Sequence, residues 1–399
     1  MSAGLIGWLA SVSGADWHWF LKILAGNDTL LNKSHQAGLY IPKPVVFDLF
    51  PEIAASDDVN PRQSFPVHID SHGDYTVATA IWYNNKTRNE ARITGWGGKK
   101  SPLLDPDSTG SLCIVAFHRG GTGNSDGCRV WLCSTPDEED TILDRCGPVE
   151  PGEGIFYEPA KFEKVTFATL PKDTPCRMTE EQLPESWRYM FPEAVDIVSR
   201  AVANLPSALT LSPDKRLVRR RDCEFEIFRS IEALVVLPRI RERFATVDLF
   251  VNFANSVTNR RKSRSGASLE LHAKAIFDEE SLAYSYDEIS ENRKRPDFLF
   301  PSAEAYHRST FPADKLQMLG VKTTCKDRWR QIINEADRVR DKYLLTLQEG
   351  VSPHQFAEMK AERVSLVVPT RLQARYPESV RPHLVSFQDF IRITKIKCE

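Results

Sequence analysis

Between Pro171 and Glu185 the chain changes character, and that change constrains the fold more than any other feature. The stretch is rich in Pro, Thr and Glu and lacks apolar periodicity, the pattern of a linker. Before it, short β-forming runs predominate: Tyr75 to Tyr83, Leu112 to Phe117, Arg129 to Cys133 and Lys164 to Leu170, separated by Gly, Pro, Asn and Asp turns. That spacing predicts a closed or partly closed β-barrel. The glycine-rich run from Gly120 to Gly127 lacks the GK[ST] ending of a phosphate loop and leads from strand to strand, so it reads as a hairpin turn. After the linker, helices are expected over Glu224 to Leu234, Val247 to Ser256 and Ser268 to Glu279, with strands over Leu344 to Leu347 and Ser365 to Val368. Ser352-Pro-His-Gln355 supplies an N-cap with Pro at the first helical position, opening a helix through Met359. Helices alternating with strands imply an α/β layer fold. At 399 residues the chain can bury two cores, so the expected division is 1–172, a linker at 173–184, and 185–399.

Charged residues are 27 % of the chain with a net charge of −2, so affinity for a polyanion must come from local patches and not from a global field. The eight cysteines show no CxxC pairing, which favours reduced thiols over a disulfide framework or a zinc site. His68 and His72 lie four apart, but Pro66 and Gly73 flank them, which argues against a helical metal site. Residues 1–20 lack a basic start, and no apolar run approaches ~20 residues, so neither secretion nor a membrane span is indicated and a cytoplasmic place is expected.

The chemistry concentrates in Pro296-Asp297, Val321-Lys322 and Glu335. The run from Arg295 to Pro301 suggests a buried strand with Asp297 at its start, and Leu316 to Cys325 reads as its neighbour, with Lys322 pointing away from the Leu319 and Val321 side. From Lys326 a helix is expected, its stripe made by Trp329, Ile332, Ile333, Ala336, Val339 and Tyr343, with Glu335 on the flank of that stripe. Two carboxylates and a lysine meet the needs of metal-dependent phosphodiester cleavage: oxygen ligands for Mg²⁺, a cation near the developing charge, and a polarised water. The arrangement resembles the PD-(D/E)xK nuclease pattern with one departure, since Gly320 stands where an acid is expected two residues before the lysine. Glu335 is the expected substitute, and an acid restored at 320 is expected to compensate in part for its loss.

Longer motifs extend the likeness. Arg260-Arg-Lys-Ser-Arg-Ser-Gly-Ala-Ser-Leu-Glu270, the run from Pro296 to Ala303, Ala305-Tyr-His307, Val321-Lys-Thr-Thr-Cys-Lys-Asp-Arg-Trp-Arg-Gln331, Gly38-Leu-Tyr-Ile-Pro42, Lys86-Thr-Arg-Asn-Glu90, Ser101-Pro-Leu-Leu-Asp-Pro106 and Gln348-Glu-Gly-Val-Ser352 closely resemble the EcoRII family of type II restriction endonucleases. The resemblance implies an N-terminal B3-like β-pseudobarrel that binds effector DNA and a C-terminal α/β restriction-endonuclease-like domain. It implies a Mg²⁺-dependent homodimer that cuts double-stranded DNA at a CCWGG-like site, leaves 5′-phosphates, binds two or more copies of the site and is activated by the effector copy. A cytosine methyltransferase acting on the same site would be its counterpart in a bacterial cytoplasm. Glu270 joins Asp297 and Glu335 among the implied acids, with Lys326 or Tyr306 assisting Lys322. Arg260, Arg261, Lys262 and Arg264 are implied to face the major groove, where guanidinium forks suit phosphates and guanine edges. Arg221 and Phe225 match positions that hold an extruded base, with Phe where EcoRII carries Tyr. In the first domain His35, Tyr40, Lys86, Arg88, Asn89, Glu90 and Arg92 are implied DNA contacts. The rival reading is a DNA-binding regulator that has kept the nuclease fold without catalysis; Asp297, Lys322 and Glu335 together argue against it.

Overall fold

The computed structural model describes residues 4–32, 38–85, 89–147, 149–161, 163–168 and 176–398. Two compact units result: residues 1–170 with 348–358 and 373–382, and residues 171–347 with 359–372 and 383–399. The division therefore is not the single cut near the linker that the sequence suggests.

In the first unit, helix α1 (Leu5–Ser11) precedes β1 (Trp17–Ile23), and α2 (Lys43–Leu49) and α3 (Pro51–Ala55) lead into β2 (Arg62–Ile69), β3 (Asp74–Tyr83) and β4 (Glu90–Thr94). After these come β5 (Leu112–Arg119), β6 (Ser125–Leu132), α4 (Pro136–Cys146), β7 (Glu153–Glu158) and β8 (Glu163–Ala168). One eight-stranded sheet results, in the order β4-β3-β2-β6-β5-β1-β7-β8. Only the β2–β6 pairing is parallel. Among the described residues its ends stay unpaired, so the fully closed barrel gives way to the pseudobarrel. Side chains alternate across each strand. On β5, Cys113, Val115 and Phe117 enter a core with Phe50, Phe65 and Trp96, while Leu112, Ile114 and Ala116 enter a second core with Trp8, Trp19 and Trp131. Both faces being covered explains why β5 reads as a continuous apolar run. Gly120 to Gly127 is the predicted hairpin, joining β5 to β6 with Gly123 at φ +86.

The second unit opens with α5 (Glu185–Tyr189) and α6 (Ala194–Asn204), then two long helices, α7 (Pro213–Arg241) and α8 (Val247–Glu279). The two helices expected over 247–256 and 268–279 are one element. A five-stranded sheet follows: β9 (Ser285–Tyr286), β10 (Phe298–Phe300), β11 (Gln317–Val321), β12 (Lys342–Leu345) and β13 (Val364–Val367), with α9 (Ala303–His307), α10 (Pro353–Ala361), α11 (Thr370–Gln373) and α12 (Phe387–Cys398). The order is β13-β12-β11-β10-β9, antiparallel from β9 to β11 and parallel from β11 to β13. Phe277 of α8 meets Phe298, Phe300, Phe387 and Phe390 at ring separations of 5.1 to 6.3 Å, and this aromatic cluster seats α8 and α12 on the sheet.

Three expectations are corrected. The helix from Lys326 is absent: a 3-10 segment covers Arg328–Asn334, Glu335 is extended, and Ala336 adopts φ +50. Carbonyls that a helix would offer to its own amides turn instead onto the Lys342 ammonium, which donates to those of Glu335, Ala336 and Val339. Cys176 and Cys223, 47 residues apart, form a disulfide, whereas the other six cysteines are free thiols. The end of the predicted linker is also packed: Cys176, Met178 and Leu183 are buried against Ile197, Ile227 and Ile231.

Candidate active site

Asp297 ends the irregular segment before β10, whose register with β11 (Phe298 opposite Leu319) brings it level with Gly320 and Val321. Its Oδ2 accepts the Val321 amide at 2.6 Å and the Lys322 ammonium at 3.2 Å. Lys322 lies one residue past β11, where its own amide donates to the Leu345 carbonyl at 3.0 Å. The carboxylate and lysine named from the sequence are thus joined directly, with side chains 16 % and 23 % exposed, open enough for a substrate to reach.

Gly320 has a packing reason that the sequence did not reveal. A Cβ there would lie 2.6 Å from Cγ2 of Ile332, itself fully buried, so this position has no room for an acid. The expectation that an acid restored at 320 could stand in for Glu335 is therefore withdrawn.

Glu335 and Glu270 reach the same electrostatic neighbourhood from different elements. Burial pushes the Glu335 carboxyl up to about 7, and the Asp297 charge pushes the same way against Lys322, Lys342 and Lys294. Glu270, on α8, accepts the Tyr286 hydroxyl at 3.0 Å. Its carboxyl is likewise raised to about 7, by burial first and Asp297 next, with the Tyr286 bond and Lys322 opposing. Both acids resist ionising first because they are buried and second because of the Asp297 charge, a field that a bound cation would relieve. The donors are all oxygens, with no thiolate or imidazole among them, which suits Mg²⁺. Among the described residues no group of three His, Cys, Asp or Glu is arranged to hold an ion as it stands. Mg²⁺ retains several waters and needs only one or two carboxylates, so the donor set fits it without such a cage.

The other predicted residues divide. Lys326 is half-buried in the turn before the 3-10 segment. Tyr306 is occupied elsewhere: its hydroxyl donates to Glu291, and its carbonyl accepts from Arg338. The cation run lies on α8 and not on a loop. Arg264 is buried, donating to buried Glu224 at 3.1 Å with its guanidinium 4.6 Å from the Phe225 ring. Arg261 holds Glu232 through two bonds of 2.6 and 2.8 Å, and Arg260 lies 4.8 Å over Phe191. The Lys262 side chain lies outside the described residues. Phe225 and Arg221 are half-buried on α7. In the first unit Tyr40 is 45 % exposed. Asn89 accepts from Trp82 at 3.0 Å and from Lys43, and Arg92 pairs with Glu90 on β4. His35, Lys86 and Arg88 lie outside the described residues. Tyr286 and Lys342 were not singled out from the sequence. The alternation of Tyr284 and Tyr286 could have pointed to the first, whereas nothing local marks the second.

Comparison with known proteins decides the family. The model described as "EcoRII C terminal" matches residues 228–391, and that described as "Restriction endonuclease EcoRII, N-terminal" matches residues 13–161. The type II restriction enzyme EcoRII of Escherichia coli is 42 % identical over 393 residues, 96 % of this chain and 95 % of that protein. The chain belongs to the EcoRII family of type II restriction endonucleases. Solved structures with partial likeness include metal-depleted Ecl18kI in complex with uncleaved, modified DNA, at 16 % identity over 52 % of this chain and 79 % of that one, TM-score 0.44. A complex of the restriction endonuclease PspGI with substrate DNA shares 15 % identity over 52 % and 93 %, TM-score 0.43. Among the described residues of this family member, no helix is long and apolar enough to cross a membrane.

Proposed function

We propose that this enzyme hydrolyses phosphodiesters of double-stranded DNA at a short CCWGG-like site in a Mg²⁺-dependent reaction that leaves 5′-phosphates. In this reading Asp297, Glu335 and Glu270 hold the metal and Lys322 faces the scissile phosphate. The observation that carries it is the Asp297–Lys322 pair at 3.2 Å, beside two carboxyls both raised by burial and then by the Asp297 charge. Bound Mg²⁺ would supply charge to the phosphoryl oxygens and lower the pKa of a water. Asp297 presents its carboxylate in a preset orientation, since Oδ2 is committed to the Val321 amide and Lys322. The Lys322 ammonium, within reach of that carboxylate, can steady an attacking water and the charge on the phosphate.

A palindromic duplex offers two equivalent strands, which a two-fold protein matches, so a homodimer is the working assembly. The resemblance supports effector control through a second copy of the site, with Tyr40, Asn89, Glu90 and Arg92 as contacts alongside His35, Lys86 and Arg88. It also supports a cytosine methyltransferase protecting the same site in a bacterial cytoplasm. In the catalytic half, Arg221, Phe225 and Arg260 are the favoured DNA contacts. Arg264 would leave Glu224 charged and buried if it moved, so it is better suited to bracing Phe225. Digesting a plasmid with and without EDTA, then sequencing the ends, tests the reading. Cutting at one short repeated sequence only when Mg²⁺ is present supports it, and cutting that persists in EDTA refutes it.

A further inference from the structure

The Lys342 side chain is almost fully buried, and its ammonium has no carboxylate partner within ion-pairing distance among the described residues. It donates instead to three backbone carbonyls, those of Glu335, Ala336 at 3.2 Å and Val339 at 3.0 Å. Each of the three is in the segment that leaves the 3-10 turn, and Ala336 within it takes the left-handed φ of +50 that L residues seldom adopt. Two backbone turns, Glu335 amide to Ile332 carbonyl at 3.1 Å and Val339 amide to Ala336 carbonyl at 2.8 Å, shape the segment; the second gives the Ala336 carbonyl one donor, and no helix continues to satisfy the carbonyls of Glu335 and Val339. A buried ammonium with three donors satisfies all three. Lys342 is itself fixed, as the first residue of β12, by its backbone N–H donating to the Arg363 carbonyl at 3.0 Å and by the parallel pairing of β12 with β11, the strand that ends beside Lys322. Burial lowers its pKa, while Asp337, Glu291 and Glu335 favour the charged form and Lys294 opposes it.

We propose that Lys342 is a positioning residue for catalysis: by gathering the carbonyls of Glu335, Ala336 and Val339 it holds the Glu335 carboxylate toward Asp297. This rests on the role assigned to Glu335 above. It accounts for how an acid outside β11 takes the place that Gly320 leaves empty, since among the described residues the carbonyls of Glu335 and Val339 have the Lys342 ammonium as their donor in this course.

The test compares Lys342→Met, Glu335→Ala and the double variant in the full-length protein. The readouts are thermal midpoint, single-turnover cleavage in Mg²⁺, and the Ca²⁺ concentration that half-saturates the cation-dependent gain in DNA binding. The loss of an outer partner of a metal ligand typically lowers affinity or activity by about 10- to 100-fold. Lys342→Met is expected to stay folded, cut about 10- to 100-fold more slowly and need correspondingly more Ca²⁺. The double variant is expected to bind Ca²⁺ no worse than Glu335→Ala alone, because Lys342 acts through Glu335. A purely structural lysine would lower the midpoint and give shifts that add. Additive shifts, or wild-type cutting and Ca²⁺ response in folded Lys342→Met, overturn the inference. If Lys342→Met does not fold, Lys342→Gln, which keeps a donor, replaces it, and failure of both to fold also overturns the inference. Full activity of Glu335→Ala would instead remove the role assigned to Glu335, and with it the premise.

Discussion

Replacing Gly320 by Ala should destabilise the catalytic unit, and replacing it by Asp should do so further without restoring activity to Glu335→Ala. The ideal Cβ at 320 falls 2.6 Å from Cγ2 of Ile332, well inside the contact distance of two carbons, and two more Ile332 carbons lie at 3.5 and 3.6 Å. Cγ2 is a branch atom on a stiff, fully buried side chain, so relief requires moving Ile332 or the strand. Overpacking of this kind costs about 1–3 kcal/mol, which for a unit of this size lowers a melting midpoint by roughly 2–4 °C per kcal/mol. Asp adds the burial of a carboxyl beside two others that already resist ionising. The assay is differential scanning calorimetry of wild type, Gly320→Ala, Ile332→Ala and the Gly320→Ala/Ile332→Ala double variant, with Ile332→Val as a control and plasmid cleavage for Gly320→Asp in the Glu335→Ala background. Ile332→Val keeps Cγ2, so it should relieve little of the strain, whereas Ile332→Ala should cost less in the Gly320→Ala background than alone. An unchanged midpoint for Gly320→Ala, or recovered cutting by the Asp variant, would refute the packing argument.

Asp297→Ala and Lys322→Ala should each abolish cleavage, while gel-shift assays still detect specific DNA binding; normal cutting by either in Mg²⁺ would remove the assigned site. Metal-free protein should lose stability as pH rises from about 5 to about 8. Glu270 and Glu335 have folded pKa values near 7 against an ordinary 4.5, so each favours the fold while protonated and that contribution disappears through pH 7. Thermal melts across that range should therefore fall in wild type and flatten in the Glu270→Gln/Glu335→Gln double variant, and equal slopes would refute it. Deleting residues 1–170, a cut that spares the Cys176–Cys223 link, should yield a protein that digests a single-site plasmid faster than the full-length enzyme does, if effector control follows the family. It should also melt earlier, since Val351, Phe356, Tyr376 and Val380 are buried in the first compact unit; equal single-site rates would refute the regulatory part.

The sequence by itself determined what short-range pattern can encode. Alternation placed β3 and a continuous apolar run placed β5, proline and Gln355 opened α10, and Asp297 and Lys322 stood at the ends of adjacent strands where their chemistry requires them. The long family motifs identified the chemistry because they record residue types in order. What only the tertiary structure decided depends on partners far away in the chain. The spacing of Trp329, Ile332, Ala336 and Val339 suits a helix, yet the Lys342 ammonium captures the carbonyls that helix would need. Gly320 reads as a missing ligand until Ile332 is found against it. Arg264 reads as an exposed cation until Glu224, 40 residues earlier, holds it inside the helix pair. Cys176 and Cys223 meet because α7 packs beneath the segment that follows the interdomain join, which no spacing rule announces. In each case the deciding contact satisfies a buried polar group or fills a fixed volume, and such demands become visible only when the whole chain has folded.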